Sequence, residues 1–303
     1  MKYWNGLEEY DGNRIAVMLG KFDGLHFGHR TLLRKMQEHA DGLEKVILAF
    51  DFPNAGAGRE LYTREEQVYA CAQSGLDGYL NVTFDDTIRT MPAEVFLEEI
   101  LFKRLKASQV YVGEEFRFGF ERKGDVSMLR AFCEENRISC YAVPELLHEG
   151  IKVSSSDIRT LIAAGRMAEA AELGGAFFVH GITRKGRQLG RTMNFPTLNL
   201  YPPVEKLLPP AGVYLSDTLY EGTVYPSVTN IGVNPTVKDD ARVSIETHLL
   251  SYPESGIAYG AEITVYFGEQ TRPERRFASV EELFAQIAKD AENARNRKKP
   301  IYI

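Results

Sequence analysis

A chain of 303 residues, 44% hydrophobic and 26% charged, is long enough to bury a substantial core and to divide into two domains, and its composition excludes disorder as the main state. A formal net charge of -6 at pH 7 gives no global attraction to nucleic acid, so any phosphate has to be held locally. Three cysteines, Cys71, Cys133 and Cys140, without CxxC spacing argue against a disulfide framework and a zinc site and fit a reducing interior.

In chain order, the N-terminal stretch carries Trp4, Asn5, Glu8, Glu9 and Asp11 where a leader would be basic and then apolar, and no apolar run approaches membrane-spanning length. A cytoplasmic address without membrane or nucleic-acid partners is the expectation. The apolar run Ile15 to Leu19 reads as a strand that breaks at Gly20-Lys21-Phe22-Asp23-Gly24 and re-enters a helix at His26-Phe27-Gly28-His29. Such a break leaves backbone N–H groups free to face phosphate oxygens with no Cβ in the way. His26 and His29, three apart at a helix start, share a face and add two directional donors. This geometry suits a nucleoside triphosphate. A zinc reading lacks further ligands of suitable spacing.

Short apolar runs then alternate with amphipathic stretches to about Val143. Val46 to Phe50, Gly78 to Leu80, Val110 to Val112 and Cys140 to Val143 read as strands, and Arg64 to Gln73, Val95 to Lys106 and Val126 to Asn136 as helices. The alternation predicts a parallel sheet with helices on both faces and ligands at the carboxyl ends of its strands. One further helix is predicted from Ser154-Ser155-Ser156 through Ile158, Leu161, Ile162 and Met167 to Leu173, stopping at Gly174-Gly175. Beyond Phe177 the pattern changes to short alternating strands: Phe178 to Thr183, Val213 to Leu219, Val224 to Asn230, Val243 to Leu250 and Glu262 to Phe267. They read as a small β-barrel or sandwich. A last amphipathic helix, Val280 to about Asn293, should place Leu283, Phe284, Ile287, Ala288 and Ala291 on one side.

The ten residues Gly20 to His29 resemble the nucleotide-binding signature of bacterial FAD synthetases, within the HxGH nucleotidyltransferases. Val112-Gly113-Glu114-Glu115-Phe116-Arg117-Phe118-Gly119 resembles that family's flavin and nucleotide loop, and Ser154-Ser155-Ser156-Asp157-Ile158-Arg159 its Ser-Ser-Thr/Ser-x-Ile-Arg motif. The resemblance implies a Rossmann-like domain over residues 1–175 that adenylylates FMN. It implies that Gly20, Phe22, Asp23, Gly24, His26, Gly28, His29, Ser154, Ser155, Ser156 and Arg159 bind ATP, with His26, His29 and Arg159 as catalytic candidates. Glu115, Phe116, Phe118 and Gly119 would form the flavin loop. Serine hydroxyls and free amides at a helix start, with an arginine nearby, suit the β- and γ-phosphates that leave as pyrophosphate. The FMN phosphate is itself the nucleophile, so the protein has only to align reactants and stabilise charge.

In the second half, Gly181 to Gly186 mimics a Walker spacing, but Arg187-Gln188 stands where Lys and Ser/Thr are required, so the P-loop reading fails. What remains is a glycine-rich flap and an extended segment in which Thr197 and Asn199, two apart, face the same way with hard oxygens suited to Mg²⁺. In Ser244 to Leu250 the alternation sets Glu246, His248 and Leu250 opposite Ile245, Thr247 and Leu249. The flap, Pro196-Thr197-Leu198-Asn199, Asn230-Ile231-Gly232-Val233-Asn234-Pro235-Thr236 and Glu246-Thr247-His248 together resemble the riboflavin kinase domain, in that family's order. The resemblance implies a small antiparallel β-barrel with a terminal helix over residues 176–303. Gly181, Gly186, Gly190, Arg191, Thr197 and Asn199 would bind ATP, Thr197 and Asn199 would hold Mg²⁺, and Glu246 would take the proton from the terminal ribityl hydroxyl as it attacks the γ-phosphorus.

The expected function is phosphorylation of riboflavin to FMN and adenylylation of FMN to FAD, with Mg²⁺ as cofactor and riboflavin, FMN and ATP as small-molecule partners. The chain departs from the family in four places. Phe50-Asp51-Phe52-Pro53-Asn54 stands for a Phe-x-Pro-His-Pro stretch, Glu115 for Asp or Asn, Asn194 for Gly and Leu198 for Ala. The first two motivate an alternative, a riboflavin kinase whose first domain keeps the nucleotide fold with weak or lost adenylyl transfer. A reading of another class is a non-catalytic flavin-sensing protein.

Overall fold

The computed structural model describes residues 1–52, 60–144, 147–148, 151–185, 196–234, 242–252, 259–275, 277–297 and 299–301. The chain forms two compact units, Met1–Gly56 with Gln67–Ser155, and Ala57–Glu66 with Ser156–Ile303. Among the described residues no helix is long and apolar enough to cross a membrane.

The first unit is built on six strands, β1 (Lys2–Asn5), β2 (Ile15–Gly20), β3 (Glu44–Asp51), β4 (Gly78–Thr83), β5 (Ala107–Gly113) and β6 (Ser139–Val143). They form one wholly parallel sheet in the order β1-β4-β3-β2-β5-β6. Ile15 to Leu19 and Val46 to Ala49 are buried at every position, as strands covered on both faces must be, which is why they read as continuous apolar runs. From β2 the chain builds β3 and β4 on one side and later β5 and β6 on the other. The carboxyl ends of β2 and β5 therefore meet where the strand order reverses, the place where open α/β sheets bind ligands.

Strand β1 has no counterpart in the sequence reading, because only Trp4 of its four residues is buried. Its place depends on Gly78, where a Cβ would lie 2.4 Å from the indole of Trp4. Helices α1 (Phe27–His39), α2 (Arg64–Gln73), α3 (Asp86–Thr90) and α4 (Ala93–Val95) follow, α4 running on into π-helical turns over Phe96–Arg104. Helix α5 (Val126–Glu135) starts at Asp125, whose carboxylate accepts the Met128 N–H at 2.9 Å. A two-residue hairpin pair, β7 (Leu147–His148) and β8 (Ile151–Lys152), ends this unit's strands.

The helix predicted as one element from Ser154 to Leu173 is two, α6 (Ser155–Ala163) and α7 (Met167–Gly174). The break is at Gly165, which takes φ +73°. There the Gly165 and Arg166 amides turn back to the carbonyls of Ile162 and Leu161, both at 2.9 Å, a glycine helix terminus.

The second unit carries β9 (Phe178–Ile182), β10 (Leu198–Leu200), β11 (Gly212–Tyr220), β12 (Thr223–Asn234), β13 (Arg242–Leu249) and β14 (Glu262–Pro273). All pairings are antiparallel, in the order β10-β13-β12-β11-β14-β9. A bridge between Arg184 and Asn199 joins the two edges, so the choice between barrel and sandwich resolves as a nearly closed barrel. Its interior is partly polar. Ser216, Thr218, Ser227, Thr229 and Thr247 are wholly buried and satisfy one another in a chain of hydroxyl hydrogen bonds of 2.7 to 2.9 Å. Residues 60–66 reach this unit through Lys206, whose buried ammonium donates to Glu66 at 2.7 Å and to the Phe178 carbonyl at 2.9 Å.

Helix α8 (Val280–Arg295) is capped by Ser279, whose hydroxyl accepts the Glu282 N–H. Of the predicted face Ala291 is buried and Ile287 half-buried, and the departure is at Ala288. Asp290, Ala291 and Ala294 are buried while Ala288 is exposed. The Asp290 carboxylate pairs with Arg272 of β14 at 2.8 Å, and the small side chains of Ala291 and Ala294 pack on Leu250. The side chains of Leu283 and Phe284 lie outside the described residues.

Candidate active sites

In the first unit, β2 ends at Gly20, where a Cβ would lie 2.9 Å from the Phe22 ring. Phe22 itself is buried at φ +52° and Gly24 follows at φ +78°. A bulky residue in the left-handed region is strained, and such strain is held in place by surrounding structure at functional sites. The chain then enters α1 with His26 at the cap position and no side chain capping the first turn. The leading amides of the helix are thereby left for a ligand, at the positive end of its dipole.

The two histidine rings lie with centroids 3.9 Å apart and planes tilted by 30°, and His29 also packs on Phe22 at 4.9 Å. His29 donates Nδ1–H to the Gly24 carbonyl at 2.8 Å, which leaves Nε2 as the free acceptor of a neutral ring. The Nδ1 atom of His26 is buried and has no hydrogen-bond partner. Gly28 makes room for that ring: a Cβ there would lie 3.1 Å from Cε1 and 3.2 Å from Nδ1 of His26. Burial pushes the His26 imidazolium down to about 4, partly opposed by the Asp23 charge. Burial and the neighbouring His26 push His29 down to about 3. At neutral pH both rings are uncharged.

Ser155 Oγ–H donates to the Asp23 carbonyl at 2.8 Å, so the start of α6 is tied to the glycine turn. Ser154 is half-buried beside it in sequence. Ser156 and Arg159 fall in the second unit, where the Arg159 guanidinium donates to Ser156 Oγ at 3.4 Å. The loop after β5 is anchored by Glu114 N–H to the Val143 carbonyl and Phe116 N–H to that of Gly113. Glu115 is exposed and Phe116 half-buried, but Phe118 lies in the core, stacked under Phe116 at 5.7 Å. Gly119, at φ +71°, passes within 2.5 Å of Ala93 Cα when a Cβ is added. Phe118 and Gly119 thus shape the loop, and Phe116 and Glu115 are the side chains it presents.

In the second unit the strand register assembles the site. Asn199 of β10 stands directly opposite Glu246 of β13, which stands opposite Asn230 of β12. Side chains in direct register share one face of the sheet. Asn199 is buried, its Nδ2 donates to the Thr197 carbonyl at 3.3 Å, and its Oδ1 is buried without a partner. An unpaired buried acceptor costs on the order of 1–3 kcal/mol, and a hard cation would relieve it. Thr197 and Glu246 are half-buried. These oxygens fit Mg²⁺, which prefers few protein oxygens and keeps the rest of its shell for water and phosphate.

His248 continues the same face and donates Nδ1–H to the Pro196 carbonyl at 3.0 Å, pinning the Pro196–Asn199 segment. Burial lowers its pKa. Gly232 lets Glu274 approach: a Cβ there would lie 2.6 Å from the Glu274 carboxylate and 3.1 Å from Asn230 Nδ2. Asn230 belongs to the Asn230–Thr236 motif and has no site role legible in the sequence, and only the fold brings Glu274 near it. Gly181 lies on β9, where a Cβ would meet Leu200 Cδ2 at an ordinary contact distance of 3.7 Å. Gly186, Gly190, Arg191 and Asn194 lie outside the described residues, as do Pro53 and Asn54.

A family model described as FAD synthetase matches residues 9–157, and one described as riboflavin kinase matches residues 173–298. The bifunctional riboflavin kinase/FMN adenylyltransferase of Escherichia coli (strain K12) is 35% identical over 290 residues, covering 92% of this chain and 91% of that protein. Its counterpart in Bacillus subtilis (strain 168) is 30% identical over 293 residues, with 93% and 92% covered. A crystal structure of a macrolide-efflux protein from Streptococcus pneumoniae has a TM-score of 0.81 at 24% identity, covering 98% of this chain and all of that one. That likeness shows a common fold.

Proposed function

This chain belongs to the bifunctional riboflavin kinase/FMN adenylyltransferase family, and from that premise we propose how its two sites divide the work. It phosphorylates riboflavin to FMN and adenylylates FMN to FAD, both from ATP. In the proposed division, residues 176–303 carry the kinase and residues 1–175 the adenylyltransferase. The stretches matched by the two family models support that division.

In the kinase, Asn199 Oδ1 and Thr197 would hold Mg²⁺, which when bound supplies positive charge to the triphosphate. Glu246, across the register from Asn199, takes the proton of the terminal ribityl hydroxyl as its oxygen attacks the γ-phosphorus and ADP departs. The observation that carries this reading is the orphaned Asn199 Oδ1 in direct register with a carboxylate.

In the adenylyltransferase, the FMN phosphate attacks the α-phosphorus of ATP and pyrophosphate leaves. The α1 amides and the His26 and His29 rings bind the charged oxygens, and His29 Nε2 is positioned by its Nδ1–H bond to Gly24 to take up a proton and donate it toward a phosphate oxygen. Ser154, Ser155, Ser156 and Arg159 would hold the departing phosphates, with Ser155 already tied to the turn. Riboflavin, FMN and ATP are the partners proposed. A cytoplasmic address accords with the free thiols of Cys71, Cys133 and Cys140.

A chromatographic time course from riboflavin, ATP and Mg²⁺ tests the reading. FMN should rise first and FAD follow. FMN accumulating without FAD would leave a kinase alone, and unaltered riboflavin would remove both activities.

A further inference from the structure

The three cysteines of the first unit are not alike. Cys71 is buried, and burial pushes its thiol up to about 12, as in an inert packing residue. Cys133 and Cys140 meet each other. They stand on α5 and β6, on either side of a turn in which Arg137 takes φ +58° and the Ile138 N–H returns to the Cys133 carbonyl at 2.8 Å. That turn lays β6 against the end of α5. Both side chains enter one apolar cluster, Cys133 buried within it and Cys140 half-buried at its edge. There the Cys133 thiol donates a hydrogen bond to the Cys140 sulfur.

The contact gives the two sulfurs different parts. The hydrogen bond from Cys133, with the Arg130 guanidinium beside it, holds the Cys140 thiol below its ordinary value against the opposing effect of burial. The same bond, together with burial, pushes Cys133 up. Cys140 is therefore the sulfur that ionises and that solvent reaches, and Cys133 is the one placed to close on it.

We propose that Cys133 and Cys140 form a thiol–disulfide site, oxidised by a small-molecule disulfide, through which adenylyl transfer responds to redox conditions. The Cys140 thiolate attacks one sulfur of the oxidant, the oxidant's S–S bond breaks, and its other half leaves as a thiolate. With Cys140 capped, the hydrogen bond that held the Cys133 proton is gone. Cys133 then loses that proton and attacks the Cys140 sulfur, expelling the second half. Each leaving thiolate takes up one of the two protons the cysteines lose, so two protein thiols and one small disulfide become one protein disulfide and two small thiols.

The loop after β5 hangs on both elements that the bond would join. Glu114 N–H donates to the carbonyl of Val143, the last residue of β6, at 2.9 Å, while Arg130 of α5 and its cap residue Asp125 reach Glu114 and Arg117 at 3.9 and 3.8 Å. Strand β6 is the outer strand of the sheet, paired with β5 alone, and so yields more readily than an inner one. A disulfide draws two sulfurs from contact to about 2.0 Å and pulls helix end and strand together, moving the anchors of the loop. That consequence rests on the family reading of this unit.

The test treats the full-length enzyme with oxidised glutathione and reads intact mass and free thiols, then FAD formation from FMN and riboflavin phosphorylation in the same sample. The parent should lose two thiols and carry no glutathione, and dithiothreitol should restore both. Cys133→Ser should stop at a glutathione adduct on Cys140, Cys140→Ser should keep its remaining thiols, and Cys71→Ser should behave as the parent. FAD formation by the oxidised parent should fall about three- to tenfold and recover with dithiothreitol, while riboflavin phosphorylation, unchanged throughout, certifies folding. Three free thiols in the parent after a treatment that oxidises them in urea, a lasting glutathione adduct on the parent, or a disulfide that leaves FAD formation as it was overturns the proposal. A reduced parent that makes no FAD from FMN removes the family reading and with it the effect on adenylyl transfer, while the mass still decides the site.

Discussion

The two units make sites of opposite electrical character by opposite structural routes. The first offers the uncapped amides of α1 as donors, beside two neutral imidazoles placed to relay a proton, all at the junction of β2 and α1. The second offers acceptors: Asn199 Oδ1 and the Glu246 carboxylate, residues far apart in the chain that antiparallel register sets face to face. A donor site binds phosphate directly. An acceptor site repels it unless a cation stands between, and its carboxylate is the group that would accept a proton. On the proposed reading the same nucleotide would be gripped by amides and rings in one unit and through a metal in the other.

The strongest way to break this contrast is Glu246→Gln, which keeps shape and removes the base. Riboflavin phosphorylation should fall by about 10² to 10⁴, while FAD formation from supplied FMN continues at the parental rate. A variant that phosphorylates riboflavin nearly as fast as the parent would deny Glu246 its role. The reciprocal change is His29→Asn in the donor site. Loss of the ring that would take up a proton and deliver it to a phosphate oxygen should lower FAD formation from FMN by about 10² to 10³, with riboflavin phosphorylation untouched as measured in the same preparation.

A smaller and more discriminating change is Gly28→Ala. The new methyl would sit 3.1 Å from the His26 ring, closer than carbon atoms normally approach, and the imidazole would have to shift by a few tenths of an ångström. Alanine within a helix is worth about 0.5–1 kcal/mol over glycine. The variant should therefore melt at a higher temperature yet adenylylate FMN about tenfold more slowly. A more stable enzyme of unchanged rate would make His26 a bystander.

The donor site was legible in the sequence because it is local. Gly20, Gly24 and Gly28 punctuate a single turn, and the strand-helix alternation around them announces which end of the sheet they occupy. The acceptor site was legible only in part. Two-residue spacing predicted that Thr197 and Asn199 face one way, but which strand stands opposite is a property of register. The pairings of Asn199 with Glu246 and of Glu246 with Asn230 could not be read from either segment alone, and neither could the approach of Glu274 to Gly232.

Other differences have equally local causes. Strand β1 buries one residue of four and so shows no periodicity. The break at Gly165 splits a helix whose apolar spacing carries on across it. In α8 the salt bridge of Asp290 with Arg272 turns a charged residue inward, against the apolar pattern that pointed to Ala288.

The subtlest consequence of the contrast is in protons. His26 and His29 titrate near 4 and 3 in the folded chain against about 6.5 when unfolded. The unfolded chain therefore binds more protons between those limits, and stability is fully present above about pH 6.5 and lost as pH falls through about 4 and 3. A bound triphosphate works the other way, because its negative charge favours the imidazolium and raises both values. With the rings 3.9 Å apart, two adjacent positive charges oppose each other, so the pair should gain less than one proton on binding ATP at pH 6.5. Calorimetric titration with ATP in buffers of different ionisation enthalpy measures that uptake. It should be present in the parent and in Glu246→Gln, and absent in a His26→Asn, His29→Asn double variant. Equal uptake in all three would place the proton on the nucleotide itself and show the histidine pair to be electrically silent.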